Sequence, residues 1–227
     1  LVAGVGWSNL FLPSGGAVYR ANITGYVGIA DYECANRPTT CPHATGATSQ
    51  STYAGVRLEG MGGYRFGSVI GVELFSGISF EGWYRNIADG DVNGGGAYTG
   101  YDTYNAVGSF KLGGSLLQRF NKFGYFLRGG VKAPFAVWQR INANVPGLSL
   151  DGVEVTSGGQ LSVFANLDLT FGTLPRDRFL ISFYYDSLNL INSNPKDLLS
   201  GGVPTGTTLA APGVAMGTLG VQMIFGF

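Results

Sequence analysis

The stretch Gly213–Phe227, GVAMGTLGVQMIFGF, decides the fold. Counting back from Phe227, every second position is apolar or small: Phe225, Met223, Val221, Leu219, Gly217, Ala215. Thr218, Gly220 and Gln222 lie between them. Alternation with period 2 predicts a β-strand with one apolar face. A flat apolar strand that ends on an aromatic would invite edge-to-edge aggregation in water. A closed barrel in a membrane has no edge and needs a greasy outer face.

Working outward from that strand, seven more alternating stretches emerge, at 17–32, 52–66, 68–87, 101–120, 123–140, 159–172 and 178–190. No amphipathic helix interrupts them. The connections alternate long and short: long near 33–51, 88–100, 141–158 and 191–212, short near Gly67, Asn121–Lys122 and Thr173–Asp177, where Pro175 sets a turn. That is a meander with two different ends. The predicted fold is all-β, an eight-stranded antiparallel up-and-down transmembrane β-barrel over residues 17–227, with both termini at the short-turn end. Pro134 lacks a ladder donor and predicts a bulge or break in the fifth strand. Residues 1–16 fall outside the meander, because a ninth strand spoils the even count. With Trp7 and Phe11 they are expected as a packed segment on the periplasmic rim or in the lumen. The opening lacks the basic start of an export signal, so the numbering is expected to begin near a mature end.

Alternation does not say which face points outward, since a soluble lipocalin-like barrel alternates as well. Charge placement argues for polar-in. Tyr19, Ala21, Ile23, Val27 and Ile29 share one face, and Arg20, Asn22 and Thr24 the other. Val56 and Leu58 oppose Arg57 and Glu59, while Val72, Leu74, Ile78 and Phe80 oppose Glu73 and Glu81. Phe110 and Leu112 oppose Lys111, Leu127 and Val131 oppose Arg128 and Lys132, and Leu167 and Leu169 oppose Asn166 and Asp168. The long loops hold mostly Gly, Ser, Thr, Asn and Ala, with few charges to solvate a soluble protein. Tyr19, Tyr64, Phe66, Tyr84, Tyr104, Tyr125, Phe179, Tyr185 and Phe227 lie near strand ends, where membrane proteins carry aromatic girdles.

Composition bounds the rest. With 12% charged residues and zero net charge over 227 residues, there is no basic run for nucleic acid. Cys34 and Cys41 sit close together in a turn-forming segment and are read as a local disulfide in an oxidising compartment, which would contribute about 2–3 kcal/mol. The single histidine, His43, is read as a solvated loop residue, because a general base would need an acid or nucleophile in reach. Asp89, Asp91 and Asn93 in DGDVNG match the first half of a calcium loop, but the position of the closing glutamate is Gly100. A plain Gly-rich turn is the preferred reading there, and neither a resident metal nor a cofactor is expected. The polar face offers Arg20, Asn22, Arg57, Glu59, Glu73, Glu81, Lys111, Arg128, Lys132, Asn166, Asp168 and Gln222 as a lumen network. It is read as a salt-bridged plug. Gly55, Gly71, Gly77, Gly113 and Gly130 leave space that keeps a narrow solute path open as the second reading.

The chain resembles the small bacterial outer-membrane barrels of the OmpA transmembrane domain, OmpX and OmpW types, in architecture and in its terminal strand. That resemblance implies a place in the bacterial outer membrane, extracellular loops and periplasmic termini. It implies outer-membrane lipids as surroundings, and recognition of the Phe225–Phe227 ending by the barrel-assembly machinery. The expected role is a non-enzymatic envelope protein whose loops make intermolecular contacts. A passive channel for small or hydrophobic solutes comes second, and a lipid-modifying enzyme third. Arg37 and Lys196 are the main basic loop residues, too few for strong lipopolysaccharide bridging. Neutral loops favour packing against neighbouring surface proteins or a homo-oligomer.

Overall fold

The computed structural model describes residues 2–8, 15–33, 47–67, 70–92, 96–98, 100–120, 122–143, 150–172, 178–211 and 213–226. In chain order the strands are β1 (Val2–Ser8), β2 (Gly16–Glu33), β3 (Ala47–Phe66), β4 (Ile70–Ile87), β5 (Gly90–Val92), β6 (Gly96–Tyr98), β7 (Tyr101–Arg119), β8 (Phe123–Ala143), β9 (Val153–Thr156), β10 (Gly159–Gln160), β11 (Ser162–Phe171), β12 (Arg178–Leu190), β13 (Lys196–Ser200), β14 (Val203–Leu209) and β15 (Val214–Gly226). The eight alternating stretches of the sequence are β2, β3, β4, β7, β8, β11, β12 and β15. They lie side by side in chain order, each antiparallel to its neighbours.

The sheet curls into a half-barrel. Arg57 on β3 touches Asp186 on β12, and the Arg20 guanidinium on β2 lies over the Phe126 ring on β8. The first pair of strands is five places apart along the sheet and the second four. Only strong coiling brings them face to face, as in a ring of about eight strands, where side chains fill the interior.

Alternation sorts the residues by face. Arg20, Arg65, Glu73, Lys111, Lys132 and Asp168 are buried on the concave side. Ile23, Val56, Leu58, Leu74, Phe80, Phe110, Leu112 and Leu127 are exposed on the convex side, Leu74 at 62% and Leu112 at 63%. The tight turn after β3 depends on Gly67, whose φ of 83° disfavours a side chain.

Two places break the ladder. The register between β7 and β8 shifts at Gly108/Ser109, which face Ala136 and Pro134, so Phe135 is the extra residue of a bulge. The break expected at Pro134 is there, and it moves the concave face from Lys132 to the odd-numbered Val137 and Ile141. The second break lies between β10 and β11. There side chains replace missing backbone partners: Ser187 Oγ accepts from the Val163 amide at 2.7 Å, and Ser162 Oγ from the Asn189 amide at 2.9 Å.

Three features depart from the sequence reading. Residues 2–8 form a strand paired along one edge of β2, from Val2↔Tyr26 to Ser8↔Arg20, where a rim or lumen segment was expected. The long connections carry structure of their own: β5 pairs with β6 and β3, β9 with β8, and β13 with β14. The β13–β14 hairpin turns on Gly201 and Gly202, both at positive φ, as a two-residue hairpin turn requires. The strands also reach further into these connections than expected, β3 starting at Ala47 and β8 ending at Ala143. At this end Ile141, Val153, Val155 and Ala211 form a small core, joined by Tyr101, Leu198 and Leu209.

Candidate functional site

The concave face is a stack of alternating charged and apolar layers. Nearest the short turns, Glu73 is wholly buried and accepts from three donors: the guanidinium groups of Arg20 and Arg65, and Ser115 Oγ at 2.6 Å. Arg65 and Ser115 stand directly opposite Glu73 on the two flanking strands, so the register supplies those contacts. Arg20 reaches over from β2 and lies 5.7 Å from the Phe75 ring and 4.9 Å from the Phe126 ring. Two cations on one carboxylate leave a positive charge, which these ring faces help to stabilise.

The next layer is apolar: Met61, Phe75 and Phe164, the two rings 6.2 Å apart. Beside it the Lys111 ammonium bonds Glu59 and lies 5.1 Å from the Phe164 ring. Asn22 Nδ2 donates weakly to the same carboxylate at 3.5 Å. Arg128 pairs with Asp168 at 3.2 Å, and Ser182 Oγ donates to Asp168 at 2.6 Å.

Above these, Arg57 bridges Glu81 and Asp186, each at 2.8 Å. Lys132 bonds Asp186 from the other side, and Tyr26 donates to Glu81 at 2.9 Å. A second apolar layer of Val107, Val137 and Leu188, with Trp83 and Leu190, separates this network from the long-connection end. Among the described residues, six cations of the concave face pair with these five carboxylates. Buried charges persist only with such partners.

The glycines that left room on this face are occupied by large neighbours. The Tyr26 ring and Trp83 sit against Gly55, Leu117 against Gly71, Met61 against Gly77, Phe75 against Gly113 and Phe164 against Gly130. A β-carbon at Gly113 would lie 2.4 Å from the Gly129 carbonyl oxygen and 2.7 Å from the Phe75 ring.

Of the residues singled out from sequence, Arg20, Asn22, Arg57, Glu59, Glu73, Glu81, Lys111, Arg128, Lys132 and Asp168 are brought together here. Asn166 and Gln222 lie half-buried on the same face and join no ion pair. Arg65, Asp186, Tyr26, Ser115 and Ser182 complete the network and were not assigned to it. Parity carried the signal for most: Arg65 shares the odd positions of Arg57 and Glu59, and Asp186 the even positions of Ser182 and Leu188.

Cys34, Cys41, His43, Asn93 and Phe227 lie outside the described residues. In the calcium-like segment, Gly90–Val92 pairs with Gly96–Tyr98 as a short hairpin, and the Asp89 carboxylate accepts from the Gly100 amide at 2.7 Å. Among the described residues no three His, Cys, Asp or Glu side chains gather in a metal-binding group. Neither a known protein family, nor a curated protein, nor a solved structure matches this chain.

Proposed function

We propose that this chain is an integral β-barrel of the bacterial outer membrane with a plugged lumen, a non-enzymatic envelope protein that presents its long-connection end for contacts with neighbouring molecules. One observation carries the reading: the molecule is apolar outside and ionic inside. The convex positions of the eight long strands, from Ala17 to Ile29, Ala54 to Phe66, Ile70 to Tyr84, Tyr104 to Phe120, Phe123 to Phe135, Leu161 to Phe171, Phe179 to Asn189 and Ala215 to Met223, hold no Asp, Glu, Lys or Arg. Water would favour the opposite arrangement; lipid rewards this one. From Val56 to Phe66 the strand rises roughly 25 Å, at about 3.3 Å per residue and a tilt of about 40°, the height of a membrane band.

Aromatic rings border that band. Phe120, Phe123, Phe171 and Phe179 follow one another round the short-turn end at centroid spacings of 6.2, 5.5 and 6.2 Å. Tyr84 and Tyr104 pair at 5.1 Å towards the other end. The filled glycine sites and the paired charges support a plug rather than a solute path. The exposed β13–β14 hairpin, where Lys196 and Asp197 offset each other, offers a surface without net charge to a neighbouring surface protein or a second copy.

Planar-bilayer conductance tests this, on protein whose fold is checked by heat-dependent gel mobility. A folded, silent barrel is expected. Reproducible discrete steps would overturn the plug and make the protein a channel. Failure to enter lipid vesicles would overturn the membrane reading altogether.

A further inference from the structure

We propose that the wall is completed by nine strands, with β1 kept on β2 and its other edge paired in parallel with β15; this rests on the reading that the sheet closes in a membrane. Among the described residues β1 pairs only with β2, and β15 only with β12. The sheet therefore ends in two edges, and a bilayer tolerates neither. Each neighbour along the sheet is antiparallel to the next, so its first and ninth strands run the same way and their seam is parallel. An antiparallel closure of β15 on β2 would need β1 to leave, because β1 covers Arg20–Tyr26 in the middle of β2.

The sequence of β1 fits a permanent wall strand. Ala3, Val5 and Trp7 stand in register with Gly25, Ile23 and Ala21, positions of the apolar outer face. Gly4, Gly6 and Ser8 stand opposite Thr24, Asn22 and Arg20, positions of the polar inner face. A segment destined for water has no need of that alternation. From the other edge, Leu219 is 83% exposed, more than any other large hydrophobic among the described residues, and Met223 and Val221 on the same face are 67% and 60% exposed. A strand alongside β15 is what those side chains lack.

The test is disulfide trapping in a Cys34→Ser/Cys41→Ser background. Val5→Cys is combined in turn with Leu219→Cys, Val221→Cys or Met223→Cys, and Ile23→Cys with the same three. Heat-dependent mobility and vesicle insertion are checked first in the parent protein, where their absence would sink the membrane reading and not the seam alone, and then in the Cys34→Ser/Cys41→Ser background before any cross-link is scored. In inserted protein, position 5 is expected to cross-link to one or two of the β15 positions, and position 23 to none. Cross-linking from position 23 alone would overturn the proposal in favour of an eight-stranded wall. No cross-link from either position would overturn it in favour of an unclosed sheet.

Discussion

Replacing Glu73 by alanine removes the carboxylate that holds the short-turn end of the interior together. The side chain is fully buried and accepts from Arg20, Arg65 and Ser115. Arg20 and Arg65 are themselves 4% and 2% exposed, so neither guanidinium can turn to water where it stands. Breaking a buried pair by removing one partner costs about 3–5 kcal/mol, mostly the penalty of the stranded charge. The ring faces of Phe75 and Phe126 near Arg20 return part of that, which places the expected loss near 3 kcal/mol. With a urea dependence of about 2–3 kcal/mol per molar, the unfolding midpoint in vesicles falls by about 1–1.5 M, read by tryptophan fluorescence. Adding Arg20→Met removes a stranded cation and should recover at least about 1 kcal/mol of the loss. A Glu73→Ala midpoint within about 0.3 M of the parent, at unchanged slope, would refute the idea that this carboxylate neutralises buried cations.

Ile78→Arg, in the middle of the outer face, should cost about 2–4 kcal/mol in vesicles and Tyr84→Arg, near the rim, at most about 1; equal, small effects would point to a water-facing surface. Gly113→Val should destabilise by about 1–3 kcal/mol through overpacking against Phe75, and the same substitution should cost less in a Phe75→Ala background than in the parent, in the same unfolding assay. Ser187→Ala leaves the Val163 amide without its acceptor, so that amide should exchange with deuterium faster than its neighbours while the protein loses about 1–3 kcal/mol.

The strands were legible because period 2 and the placement of charge agree. Arg57 beside Leu58, and Glu73 beside Leu74, mark two faces without any knowledge of partners. Pro134 announced a break, since a residue without an N–H cannot serve a ladder, but nothing local says that Phe135 is the residue squeezed out. β1 was not legible. It is seven residues long with no charge on either face, and its pairing follows from the free edge of β2. The network was half legible for a related reason. Parity gives the face of Lys132 and Asp186, but which acid meets which base across the interior depends on how tightly the sheet curls. The hairpins of the long connections hide in Gly-, Ser- and Thr-rich sequence whose alternation is weak.

The bridge from Arg57 to Asp186 also has a consequence in time. The two residues are far apart in the chain and Asp186 is carried by β12, so a chain without β12 leaves Arg57 with Glu81 alone of these two acids. Lys132 waits for the same carboxylate. Contacts of such sequence separation form late and slowly. A chain halted before β12 therefore carries two cations short of a partner, and the interior itself distinguishes an unfinished molecule from a finished one.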